Sequence, residues 1–128
     1  MIAPVPERRK FPRLDNNIPV KISSEETDVV TETLNLSAAG AYCKVNKYFE
    51  PMAKLEIVLL LPIKRRDKVV TKKITCQGVV VRTETVKANE QYNVAIYFNE
   101  IQKKDSAVIT EYVNALLDAQ KSESNQQN

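Results

Sequence analysis

The chain has 128 residues, 43% of them hydrophobic and 27% charged, and its 19 basic and 16 acidic side chains leave a net charge of +3. A single domain of this size can bury a core without metal or disulfide, the composition excludes global disorder, and the charge balance demands no nucleic-acid partner. With no histidine anywhere, the Ser/His/Asp and Cys/His nucleophile systems and most zinc sites are excluded.

Residues 1–14 are rich in proline and arginine and carry no sustained hydrophobic period. They read as an extended, flexible basic arm, ordered only when something binds it. From residue 15 the chain reads as strands. Val20 and Ile22 flank Lys21. Val29–Leu36 is rich in Val and Thr, with Val30, Glu32, Leu34 and Leu36 expected on one face. Ala41–Val45 carries Cys43. Leu55–Leu61 reads as a strand buried on much of both faces. Ile63–Val69 holds Lys64, Arg65, Arg66 and Lys68 and reads as a solvated turn. Ile74–Arg82 contains Gly78, which marks a bulge or a barrel bend. Tyr92–Phe98 alternates, with Tyr92, Val94, Ile96 and Phe98 on one face.

These six strands have no helix between them, and closure into an antiparallel barrel removes their exposed edges. The period then changes. Val108, Ile109, Tyr112, Val113, Leu116 and Leu117 form the apolar stripe of a helix, with Asp105 as expected N-cap. The stripe packs against the barrel or caps one end of it; the alternative is a dimer seam. The helix is expected to fray after Ala119, leaving 120–128 as a disordered tail. The expected fold is therefore all-β: a six-stranded antiparallel β-barrel with a C-terminal α-helix over residues 15–119.

The longest apolar run, Ile57–Pro62, is far short of the ~20 residues of a membrane span. Met1–Pro6 lacks the apolar core of a signal peptide. A cytoplasmic protein is expected, with Cys43 and Cys76 as buried free thiols.

Two short motifs carry the functional reading. Arg9 and Arg13 form an R-x-x-x-R preceded by Arg8; Asn35, Ser37 and Gly40 form an N-x-S-x-x-G. If Leu34 and Leu36 face the interior, Asn35 and Ser37 face outward together, an amide and a hydroxyl able to read a purine edge. Gly40 allows a positive φ or a close backbone approach. Guanidinium groups bind phosphate bidentately and stack on bases, so the arm suits an anionic, guanine-containing ligand. Taken singly, the first motif reads as a solvated basic arm and the second as a β-turn.

Together, in this order and ahead of an all-β pattern and a terminal helix, the motifs resemble the PilZ family. The resemblance spans about Glu7 to Leu117 and includes Glu7–Arg13, Val79–Arg82 and Tyr92–Phe98. It implies a bacterial receptor for the second messenger cyclic di-GMP. Arg9 and Arg13 would grip phosphate and guanine, Asn35 and Ser37 would hydrogen-bond a guanine, and Gly40 would be the turn glycine. Arg8 is compatible with a stacked pair of ligands. Departures are mild: Ala39 stands where many members carry a second glycine, Asn35 where others carry Asp, and Asn93 and Ala95 where glycines are common. Arg82 either reaches the ligand or only ends a strand. Three other functions compete: a PilZ-like adaptor that binds protein but no nucleotide, a barrel for single-stranded nucleic acid, and an enzyme. Some members of the first kind have lost the arginine motif, and intact Arg9, Arg13, Asn35, Ser37 and Gly40 argue against it here; the second needs aromatic platforms that the 6% aromatic content does not supply, and the third a catalytic constellation. The expected module is not an enzyme, needs no cofactor or metal, and signals through an unknown protein partner as monomer or dimer.

Overall fold

The computed structural model describes residues 17–126, with side chains described as far as residue 119. Among the described residues six strands precede one helix: β1 (Pro19–Ser23), β2 (Asp28–Ser37), β3 (Gly40–Val45), β4 (Lys54–Arg65), β5 (Lys68–Lys87), β6 (Gln91–Glu100) and α1 (Lys103–Gln126). The strands close in the order β1-β2-β3-β6-β5-β4, with every neighbouring pair antiparallel. The closed all-β architecture and its terminal helix match the expectation.

The core follows from alternation. On β6, Tyr92, Val94, Ile96 and Phe98 are buried; on β3, Ala41, Cys43 and Val45 meet them. β4 corrects the sequence reading. Leu55, Ile57, Leu59 and Leu61 point into the core, but Leu60 on the opposite face is 38% exposed. A closed barrel has only one interior, so an apolar run does not make a strand two-sided; isolated leucines on a surface are tolerated.

The cationic segment at 63–69 is also more ordered than expected. β4 and β5 stay paired to Arg65↔Lys68, and only Arg66 and Asp67 form the turn. Arg66 takes φ 57°, as a tight hairpin turn requires. Backbone pairing does not depend on side-chain polarity, so the ladder continues where hydrophobic patterning stops. Just before β4, Phe49 is buried, and Met52 N–H donates to Val80 O (2.7 Å) while Val80 N–H donates to Ala53 O (3.0 Å).

Helix α1 buries Ile109, Tyr112 and Val113, with Val108, Leu116 and Leu117 packed against the core. The stripe therefore serves the barrel. Two details differ from expectation. The Asp105 and Ser106 amides both donate to Gln102 O (3.0 and 2.9 Å), so Gln102 is the cap and Asp105 sits in the first turn. Its carboxylate still suits the positive end of the helix dipole. The helical backbone also continues to Gln126, beyond the expected end at Ala119. That stretch contains no glycine or proline to stop helical hydrogen bonding.

Cys43 and Cys76 are free and buried. Burial pushes each thiol up to about 12, with the nearby Asp105 charge adding to the effect at Cys76. Neither forms a thiolate at neutral pH, so neither should react with a disulfide reagent such as Ellman's until the protein unfolds. Because the folded pKa is raised, unfolded chains ionise first as pH climbs. The thiols' contribution to stability is full below about 9 and declines as pH rises towards about 12. Fast native-state labelling of either cysteine would contradict this packing.

Candidate functional site

β2 begins with its odd-numbered residues inward: Val29 and Thr33 are buried. Strict alternation would carry Asn35 into the core as well. It does not, because the β2–β3 register shifts between Thr33 and Asn35. This bulge leaves Leu34 37% exposed and Leu36 fully buried. Val30 and Leu34, expected inward with Leu36, face solvent. The outward position of Asn35 is thus reached by a bulge and not by an unbroken leucine face, a typical use of bulges to re-aim one side chain.

Asn35 pairs with Tyr42, Leu36 with Ala41, and Ser37 with Gly40. Opposite residues share a face, so Asn35, Ser37, Gly40 and Tyr42 lie on the outer surface. Ser37 is nevertheless 7% exposed, and its Oγ accepts the Ala39 amide at 3.1 Å. That bond braces the turn and leaves the hydroxyl proton to donate elsewhere. Gly40 has no positive φ. Its need is close approach: a Cβ would lie 2.1 Å from Ile96 O.

Across the sheet, β5 carries a second relevant irregularity. Its register against β6 shifts between Val80 and Arg82, besides shifts at Gln77/Val79 and Thr85/Lys87. The first of these others falls at Gly78, where a Cβ would crowd Ile96 Cγ2 at 2.7 Å. Val80 is buried and Val81 is 59% exposed. Alternation would return Arg82 to the core, and the bulge keeps it outside. The registers then align one row across four strands: Asn35 (β2), Tyr42 (β3), Ala95 (β6) and Arg82 (β5). Arg82 Nε lies 3.2 Å from Glu84 Oε2, and the Tyr42 hydroxyl donates to Glu84 Oε1. The hydrogen bond to Glu84 raises the Tyr42 pKa. Tyr42 and Glu84 carry no motif signal; strand pairing sets Tyr42 beside Asn35, and Glu84 meets Tyr42 from β5.

The chain meets β2 at Ile18, a core residue. Its amide donates to Thr33 Oγ1 (3.1 Å), and its carbonyl accepts the Thr33 amide (2.9 Å). The chain preceding β1 is thereby pinned two positions before Asn35 on β2. Arg8, Arg9 and Arg13 lie outside the described residues, as does the expected arm. Arg13 is five residues from Ile18, a tether of at most ~17 Å.

A motif-bearing outer face beside the chain entry, on a six-stranded barrel closed over a terminal helix, is one side of the comparison with known proteins. A family model supplies the other: the PilZ domain matches residues 7–115. The chain belongs to the PilZ domain family. PilZ domains are non-catalytic receptors for cyclic di-GMP. Among solved structures, the Bacillus subtilis inhibitor of motility (MotI/DgrA) aligns at a TM-score of 0.75 and 24% identity, over 86% of this chain and 51% of that one. The chain thus spans about half the length of the Bacillus protein. The PilZ domain of Escherichia coli YcgR, solved with c-di-GMP, aligns at 0.62 and 9% identity, over 92% of this chain and 98% of that one. Both likenesses are of fold. No curated protein matches this chain. Among the described residues, no helix is long and apolar enough to cross a membrane.

Proposed function

We propose that this PilZ domain binds cyclic di-GMP on the outer face of β2 and β3 and turns binding into ordering of its N-terminal arm. Asn35 and Ser37 hydrogen-bond a guanine edge beside the Gly40 turn. Arg9 and Arg13 grip phosphate and guanine from the arm, and Arg8 allows a stacked ligand pair. Ordering the arm changes the surface offered to a downstream protein in the bacterial cytoplasm, a disorder-to-order switch. The observation that carries this reading is the bulge that turns Asn35 outward two positions from Thr33, the residue that pins the chain entry at Ile18. This supports a site shared by the polar pair and the arginines that precede Ile18 in sequence.

Calorimetric titration with cyclic di-GMP tests it. Wild-type protein should bind at micromolar affinity or better. Arg13→Ala should bind at least about tenfold more weakly, since a charge-assisted hydrogen bond is worth ~1.5–3 kcal/mol. Absence of heat, with no thermal stabilisation at high ligand concentration, would leave an adaptor that works without nucleotide.

A further inference from the structure

Two bulges, on strands that are not neighbours, push one polar residue each onto the same outer row: Asn35 from β2 and Arg82 from β5. Between them stand Tyr42 and Ala95. Three strand spacings of ~4.8 Å put the ends of this row ~14 Å apart at the backbone. Ala95 contributes only a methyl, so the row is low beside Arg82.

The ends of the row are not equally available. Glu84 Oε2 is 3.2 Å from Arg82 Nε, and its other oxygen accepts the Tyr42 hydroxyl. A carboxylate bridging a guanidinium and a hydroxyl makes the same bonds that two oxygens of a phosphodiester would make. The Arg82 and Glu84 side chains are 59% and 45% exposed, so exchange with an incoming anion is open to solvent and inexpensive.

We propose that Glu84 is an internal stand-in for phosphate: it holds Arg82 and Tyr42 until cyclic di-GMP arrives, and a ligand phosphate then displaces it and takes Arg82. The inference rests on the proposed function and adds a cation, Arg82, and a competing anion, Glu84, which neither motif contains. Glu84 sets a threshold. Occupancy requires ligand at a concentration that outcompetes a carboxylate fixed in place. Tyr42 orients that carboxylate and does not itself need to touch the ligand.

The test is a double-mutant cycle read by calorimetry with cyclic di-GMP. Arg82→Ala should weaken binding about tenfold. Glu84→Gln should tighten it about threefold, the scale of releasing one exposed ion pair. In the Arg82→Ala background the gain from Glu84→Gln should vanish. Melting temperatures measured alongside should stay close to wild type, because both side chains are exposed. Three results overturn the proposal: unchanged binding in Arg82→Ala, no gain or a loss in Glu84→Gln, or a gain that persists without Arg82 and so reports only long-range charge. If wild-type protein itself fails to bind, the receptor reading falls and this one with it. If wild type binds and the cycle fails, only this one falls.

Discussion

Leu36→Ala is expected to lower folding stability by about 2–5 kcal/mol, while Leu34→Ala costs about 0.5 kcal/mol. The two leucines are separated by one residue on the same strand, and an unbroken strand would bury both or expose both. The bulge between Thr33 and Asn35 separates them: Leu36 is fully buried and Leu34 is 37% exposed. Truncating Leu36 removes a buried side chain and leaves a cavity among rigid strands, which cannot collapse to fill it. Truncating Leu34 removes surface that water already reaches. Urea unfolding of the two variants measures the difference directly. Similar costs would mean an unbulged β2, and the outward position of Asn35 would then need another cause. The bulge also has a physical reason. It lets the first half of β2 bury Val29 and Thr33, the latter bonded to Ile18, while the second half buries Leu36.

Gly40→Ala is the second large effect. The added methyl would meet Ile96 O at 2.1 Å, with Ile96 C and Tyr97 Cα also within 3.3 Å. Every one of these atoms is backbone, so no rotamer change relieves the contact. β3 must separate from β6, at the turn that carries Ser37. Overpacking costs of ~1–3 kcal/mol are typical where side chains can adjust; here about 3 kcal/mol is expected, with melting lowered by about 10 °C. Gly78→Ala provides the internal comparison. Its nearest obstacle is the Ile96 Cγ2 methyl at 2.7 Å, a side-chain atom on a stiff β-branched residue rather than backbone, and about 1–2 kcal/mol is expected. Thermal melts that rank the two substitutions the other way would refute the close-approach explanation of Gly40.

Local patterning determined much of this protein. The alternation in Tyr92–Phe98 identified both a strand and its buried face, because each side chain's direction follows from its immediate neighbours. The helix stripe through Ile109 and Val113 was equally plain, for the same reason at a different period. The R-x-x-x-R and N-x-S-x-x-G motifs pointed to the family. Tertiary structure alone decided what depends on strand partners. The bulges at Leu34 and Val81 arise from hydrogen-bond register with β3 and β6, and nothing in the residues on either side announces them. The β4–β5 ladder runs through a charged stretch because backbone groups pair regardless of side-chain polarity. Asn35, Tyr42, Ala95 and Arg82 come from strands spread across residues 35 to 95 yet share one row. A side chain's face is a local property until a bulge reverses it, whereas its lateral neighbours are set only when the barrel closes.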